Sequence, residues 1–199
     1  MQTKETKHIA YAVRPLIHKG TARLETARLV LRPFTPADAE PMYRNWATEE
    51  AVTRFLTWKP HASPEQTAWL AEKWAEQGTQ PEFYQWAIEL KALGEPIGSL
   101  TVVRRDELAA AAELGYCIGS HWWGQGLMTE AVRAVIGYLI REVGFHRVSA
   151  CHDVENPASG RVMEKSCMVR EGTLRAFLRN NRGVVDVTFY SVLAEEWNG

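Results

Sequence analysis

Two short stretches carry residue types that could do chemistry at the spacing they have. The first is Trp123-Gly124-Gln125-Gly126-Leu127-Met128-Thr129, where two glycines sit directly before an apolar-periodic segment. Glycine turns the backbone freely and leaves no Cβ over its amides, and the first N–H groups of a helix have no partner inside it. Bare amides at the positive end of a helix bind anions such as phosphate or pyrophosphate. An ordinary strand-to-helix turn would use the same residues, and a lone Gly-x-Gly does not separate the two readings. The second stretch, Asn156-Pro157-Ala158-Ser159, follows about thirty residues later. Asn156 is a good N-cap and Pro157 a good first helical residue, which leaves an amide and a hydroxyl at a second helix mouth. Around these lie three carboxylates, Glu113, Asp153 and Glu155, any of which could accept a proton if it faced a reacting group.

Other chemistries find little support. Cys117, Cys151 and Cys167 are odd in number and far apart, which fits reduced thiols rather than a disulfide frame. His8, His18, His61, His121, His146 and His152 are scattered, and without Cys-x-x-Cys or a close His pair no metal site is expected. The chain has 199 residues, 46% of them apolar, and a formal charge of −1. That balance argues against a nucleic-acid surface. Residues Met1 to His18 form a mixed polar stretch with no apolar run fit for a signal peptide or a membrane span, so a cytoplasmic protein without membrane contact is expected.

The elements that must position these residues can be read from periodicity. Residues 1–20 lack a pattern and are taken as an N-terminal extension, with one domain over 21–199. Leu29 to Leu31 is a short strand, and Thr35-Pro36-Ala37-Asp38 opens a helix to about Trp46. A short helix over Glu50 to Leu56 and a third from Ser63-Pro64-Glu65-Gln66 to Gly78 follow. Gln85 to Leu90 and Ile97 to Val103 form a hairpin around Gly94, with Ala111 to Ile118 beside it. From Leu127, apolar residues at Met128, Ala131, Val132, Val135, Ile136, Leu139, Ile140 and Val143 mark one buried helical face that Gly144 ends. Phe145 to His152 is a strand, the Asn156 helix runs to about Cys167, and Val169 to Leu178 and Val184 to Val192 make a final hairpin around a loop at Arg179 to Gly183. This order describes one mixed α/β domain with α+β character.

Taken together, Trp123-Gly-Gln-Gly-Leu-Met-Thr-Glu-Ala131 and Asn156-Pro-Ala-Ser-Gly-Arg-Val-Met-Glu-Lys165 resemble the GNAT superfamily of acetyl-CoA-dependent N-acetyltransferases. The resemblance is strongest to its ribosomal-protein N-terminal (Rim-type) branch, and it extends from about Thr21 to Trp197, including Arg28-Leu-Val-Leu-Arg-Pro-Phe34 and Glu171-Gly-Thr-Leu-Arg175. It implies a central, mostly antiparallel sheet of about six or seven strands flanked by helices, and acetyl-CoA as acyl donor. His121 stands where the wider superfamily often begins its pyrophosphate loop with Arg or Gln. Cys167-Met168 replaces a familiar Gly-Phe, and Met163 replaces a helical Tyr, so no Tyr acid acts from that position.

On this resemblance, each requirement of acetyl transfer finds a candidate. Trp123, Gly124, Gln125, Gly126, Leu127, Met128 and Thr129 would cradle the pyrophosphate. Tyr116, Cys117 and Ile118 would pair with the pantetheine arm as with an added strand, and their amides would polarise the thioester carbonyl. Asn156 would bind the cofactor through its side chain, cap its helix, or do both. Glu113, on the strand leading into the acyl site, is the first choice of base for the attacking amine, directly or through water; it could equally be a solvated strand residue. Ser159 would protonate the leaving thiolate, hydrogen-bond the cofactor, or cap the helix. Cys117 is not expected to be a nucleophile, because direct attack in a ternary complex needs no acyl-enzyme. Trp46, Phe55, Trp58 and Trp69 lie in the region that covers the acceptor side in this superfamily, where they line a pocket or pack the core. The expected acceptor is a primary amine, a protein N-terminal α-amine. The alternatives are a small amine or antibiotic as acceptor, or a non-catalytic acyl-CoA-binding module; a homodimer is also open.

Overall fold

The structure is a computed structural model that describes residues 11–199. Residues 1–10 of the expected extension lie outside the described residues. Residues 11–20 have no regular structure and are tied to the domain, Ile17 N–H donating to the Val143 carbonyl at 2.9 Å and the His18 ring bonding Tyr84 Oη at 2.8 Å.

The chain begins with β1 (Leu24–Glu25) and β2 (Leu29–Pro33) and then enters the first helical layer. Here a 3-10 turn (Pro36–Asp38), α1 (Ala39–Met42) and a π turn (Tyr43–Ala47) run on without a break where one regular helix was expected. The segment is anchored at its head by Arg32, whose fork holds Asp38 with two 2.8 Å bonds while Asp38 also accepts from Thr35 N–H. Next come α2 (Glu50–Thr53) and α3 (Pro64–Gln77), the latter capped by Ser63 accepting from Gln66 N–H. The rest is β3 (Gln85–Leu90), β4 (Glu95–Asp106), β5 (Ala111–Ile118), α4 (Leu127–Tyr138) with a π turn over Leu139–Val143, β6 (Arg147–Asp153), α5 (Pro157–Lys165), β7 (Val169–Asn180) and β8 (Gly183–Leu193).

Among the described residues all the strands join one eight-stranded sheet in the order β1-β2-β3-β4-β5-β6-β8-β7. The two-residue β1, too short to read from periodicity, takes the number past the six or seven expected. Every pairing is antiparallel except β5 with β6, which are joined through α4 as a crossover connection and so run parallel. The last hairpin is longer than its pattern shows. Its turn is only Asn181-Arg182, and two register shifts, at Arg170/Gly172 and Leu174/Leu178, absorb the irregular apolar spacing of β7.

Alternation along β5 divides two cores. Ala112, Leu114 and Ile118, with Tyr116 packed against them, join α4 and α5 on one face, while Cys117 packs into the second core with Phe34, Met42 and Trp46. The expected α4 face is the buried one, with Ala131, Val132, Val135 and Ile136 fully enclosed. Each buried Val or Ile stabilises the domain by roughly 1.5–3 kcal/mol, so a charge at Val135 would unseat the helix that carries the Gly124–Gly126 turn. Left-handed Gly144 (φ 99°) stops the element.

Candidate active site

The sheet opens where the two motifs meet. The parallel ladder of β5 and β6 runs only from Ala111↔Arg147 to Leu114↔Ala150. Beyond it, Tyr116, Cys117 and Ile118 pair with β4 alone, and Cys151, His152 and Asp153 pair with β8 alone. The inner edges of both strands are thus unpaired past Leu114 and Ala150, leaving a wedge whose arms carry the Gly124 loop and the Asn156 helix. An extended, amide-bearing chain can add to such an edge.

At the end of the β5 arm, Ser120–Trp122 form a 3-10 turn, and Trp123 Nε1 donates to the Ile118 carbonyl at 2.9 Å. Trp123 therefore stabilises the loop from beneath and engages the acceptor at Ile118. Gly124 and Gly126 both have φ +75°, the left-handed region that side chains resist. Gly126 is the N-cap of α4 and makes no side-chain cap bond. Among the described residues, no protein acceptor faces the amides of Gly124, Gln125, Gly126, Leu127, Met128 and Thr129. Six successive donors at the positive end of a helix fit a diphosphate.

On the other arm, Asn156 caps α5, its Oδ1 accepting from Ser159 N–H at 3.4 Å. Ser159 Oγ lies 3.0 Å from Tyr116 Oη, so a hydrogen bond bridges the wedge from β5 to the first turn of α5. Burial pushes the Tyr116 phenol well above its ordinary pKa, against the smaller opposing effect of Ser159. It stays neutral and can donate to Ser159, which frees the serine proton for another acceptor. The sequence placed Tyr116 here for its backbone; its hydroxyl's part was not legible, because only the tertiary fold brings positions 116 and 159 together.

Glu113 is at the closed end of the wedge, on the opposite face of β5 from Tyr116, with its side chain 17% exposed. A bulge in β4 between Val102 and Arg104 sets Arg104 opposite Glu113, with Nη1 3.8 Å from Oε2. Cys151 Sγ is 3.8 Å from the other carboxylate oxygen. Burial first, and the Glu113 carboxylate second, push the Cys151 thiol up to about 12, so this neighbour is a neutral donor. A strand rises about 3.3 Å per residue, which puts Glu113 roughly two residues from the open edge.

The other carboxylates are committed elsewhere. Asp153 is buried and accepts from Glu155 N–H, Asn180 Nδ2 and Arg182 Nη1 at 2.8–2.9 Å. Its burial would raise its pKa, but these donors and the Arg182 charge hold it below the usual carboxylate value. Glu155 pairs with the same guanidinium at 2.5 Å. Both are held by Arg182, whereas Glu113 meets Arg104 at 3.8 Å. Cys117 is half-buried, and desolvation pushes its thiol up, so it is a poor nucleophile at neutral pH.

The four aromatics of the helical region do not form one pocket. Trp46 is fully buried in the second core, and Trp69 is 60% exposed beneath Lys73. Phe55 lies between the guanidinium groups of Arg54 and Arg182, and Trp58 packs against His61. The segment after α1 instead spans the mouth of the wedge. Glu49 Oε2 accepts from Ser120 N–H at 3.3 Å, and Asn181 Nδ2 donates to the carbonyls of Thr53 and Trp58 at 2.9 and 2.7 Å. Between this bridge and the β7–β8 turn runs a groove of about 510 Å³, lined by Glu50, Thr53, Arg54, Lys59, Asn181 and Arg182. The contacts of two further residues went unread in the sequence, those of Thr26 and Arg28, which bind Glu130 in the first turn of α4. An acid in a first helical turn was the available signal.

The profile of the acetyltransferase (GNAT) domain matches residues 28–169. The chain belongs to the GNAT family. It is an acetyl-CoA-dependent N-acetyltransferase. It is 30% identical over 170 residues, 85% of this chain and 96% of the relative, to YoaA of Bacillus subtilis, an uncharacterised N-acetyltransferase. Over 68 residues, 34% of this chain and 35% of the relative, it is 38% identical to the [ribosomal protein uS5]-alanine N-acetyltransferase of Escherichia coli. The fold superposes with a TM-score of 0.76 on RimL, the ribosomal L7/L12 α-N-protein acetyltransferase in complex with coenzyme A, at 20% identity, covering 86% of this chain and 98% of that one. Among the described residues no group of three or more His, Cys, Asp or Glu could hold a metal, and no helix is long and apolar enough to cross a membrane.

Proposed function

We propose that this GNAT enzyme acetylates the α-amine of a protein N-terminus by direct attack in a ternary complex, with Glu113 as base and Ser159 as the acid for the leaving sulfur. Acetyl-CoA supplies the acyl group as a thioester. The observation that carries the reading is the wedge itself. Its two arms bring the Gly124–Thr129 amides, the unpaired edge at Tyr116, Cys117 and Ile118, and the Asn156–Ser159 helix mouth to one opening.

In this reading Gly124 to Thr129 hold the pyrophosphate, and Trp123 keeps their loop in place. The open edge of β5 aligns the pantetheine amides and presents N–H donors to the acyl oxygen, where one donor is worth about 2.7–4 kcal/mol in the transition state. Asn156 binds the cofactor arm with the amide nitrogen its cap bond leaves free. An alkylammonium cannot attack, so Glu113 removes a proton through a bridging water. The free thiol titrates near pH 8.5, so protonating the sulfur helps departure without being indispensable. Ser159 is placed for this by Tyr116, whose neutral hydroxyl lies 3.0 Å from Ser159 Oγ and orients it.

The α-amine is favoured by the uS5-alanine and RimL likenesses and by the open groove beside the wedge, which can take an extended chain. Thiol release would be followed with acetyl-CoA and four acceptor sets: peptides with a free α-amine, the same peptides N-terminally blocked but carrying lysine, polyamines, and aminoglycosides. Turnover confined to free α-amines is expected. Turnover with the small amines alone would remove the protein-acceptor reading. Binding of CoA without turnover on any set would mark a non-catalytic module.

A further inference from the structure

We propose that Arg28 is a positioning residue of the cofactor loop, setting the direction of the Gly126 amide through the Gln125 carbonyl; this rests on reading Gly124–Thr129 as the pyrophosphate cradle. Besides Arg28, two side-chain bonds hold the loop, Trp123 Nε1 on the Ile118 carbonyl at 2.9 Å and Gln125 Nε2 on the His121 carbonyl at 3.1 Å, and neither engages the Gln125–Gly126 peptide. Its two glycines are left-handed, and a Cβ built at Gly124 would meet no atom within 4 Å. Such a segment has many accessible conformations, and amides that must be ordered on binding contribute less than amides already in place.

Arg28 reaches the loop from the turn between β1 and β2. Its Nη1 donates to the Gln125 carbonyl at 2.9 Å, and its Nη2 is 3.7 Å from where a Gly126 Cβ would stand. In a trans peptide the C=O of Gln125 and the N–H of Gly126 point in opposite directions across one plane. Holding the carbonyl toward Arg28 therefore turns the Gly126 amide away from it, toward the face that carries the other free donors.

The guanidinium is itself fixed. Glu130 Oε2 accepts from Arg28 Nε at 2.7 Å, and Glu130 Oε1 accepts from Arg28 N–H at 2.8 Å and Thr26 Oγ1 at 2.6 Å. Thr26 Oγ1 in turn accepts from Leu29 N–H at 2.9 Å, which locks the turn to the start of β2. Only the planar fork of arginine reaches a carboxylate and a carbonyl at once. The pair also resolves an electrostatic conflict. A carboxylate in the first turn suits the helix dipole, yet it opposes a phosphate docking on the same amides, and Arg28 neutralises it. With Arg28 about half exposed, the ion pair adds little to stability, so its consequence is geometric.

The test compares wild type, Arg28→Ala and Arg28→Lys with two donors, acetyl-CoA and S-acetylpantetheine, the latter lacking pyrophosphate. The acceptor is kept saturating, and CoA Kd is measured by calorimetry. Losing one oriented donor to a charged group should raise KM for acetyl-CoA and Kd for CoA about tenfold in Arg28→Ala, with kcat within about twofold. S-acetylpantetheine kcat/KM should be unchanged. Lysine keeps the charge but not the fork, and should recover only part of the loss. Unchanged CoA affinity in both variants overturns the inference, as does a parallel loss with S-acetylpantetheine, which would mean general damage. Should Arg28→Ala fail to fold, Arg28→Lys carries the same comparison. A wild type that does not bind CoA would instead bring down the cradle reading itself.

Discussion

Replacing Gly126 by alanine sets the loop's conformation against its function. Gly126 has φ +75°, and its new Cβ would meet only Arg28 Nη2 at 3.7 Å, an ordinary contact. The cost is therefore conformational, roughly 1–2 kcal/mol for an L-residue held left-handed. Gly94, in the β3–β4 turn, is a matched control, with φ +70° and nothing within 4 Å of its Cβ. Both variants should lower Tm by a similar amount, about 2–8 °C for a domain of this size, and the stiffer unfolded chain is common to both. Only Gly126→Ala can relieve its strain by rotating amides out of the cradle. Each lost hydrogen bond to a charged group is worth roughly 1.5–3 kcal/mol, or about 10- to 100-fold in KM for acetyl-CoA. Steady-state kinetics with varied acetyl-CoA, beside thermal melts, reads both quantities. A Gly126→Ala enzyme with the Tm loss of Gly94→Ala and an unchanged KM would refute the cradle, as would a Gly94→Ala enzyme with an equally raised KM.

Three further outcomes follow from the geometry. Glu113→Gln should lower kcat by about 10²–10⁴ with little change in CoA Kd; unchanged turnover would discard Glu113 as base. Ser159→Ala should cost less, about tenfold or more in kcat, and single-turnover measurement of thiol release would show no change if the serine hydroxyl only bonds Tyr116. Asp153→Asn removes a buried carboxylate that three donors share and should lower the urea midpoint, while exposed Arg182 keeps Glu155. The Asp153 carboxyl lies below its unfolded value, so its stabilisation is full above about pH 4 and is lost as pH falls through the lower, folded pKa. Urea midpoints between pH 7 and pH 3 should fall less in Asp153→Asn than in wild type; parallel slopes would contradict the linkage.

The parts legible in the sequence were those governed by local rules. Strand β5 matches its expected bounds, Ala111–Ile118, because it is bracketed by a turn and a glycine and alternates cleanly. The head of α4 and the cap of α5 were legible because Gly126, Asn156 and Pro157 have positional chemistry independent of their surroundings. The failures share a cause in contacts between distant segments. Asp153 and Glu155 looked as free as Glu113, and only the fold shows Arg182 occupying both. The Trp46 indole carried no mark distinguishing a core position from a pocket wall. The wedge itself has no local signature, since strands end their pairing where neighbouring helices force them apart. Arg28 and Glu130, about a hundred residues apart, could be joined only in three dimensions.

The central claim is that the wedge between β5 and β6 receives acetyl-CoA and passes its acyl group to a free α-amine. The most direct measurement incubates the full chain with acetyl-CoA and a peptide bearing a free N-terminus, and locates any added acetyl group by fragment mass spectrometry. One acetyl group on the α-nitrogen, with CoA thiol released in equal amount and both slowed at least about a hundredfold in Glu113→Gln, is the predicted result. Acetyl groups only on side-chain amines, or equal thiol release in Glu113→Gln, would contradict it.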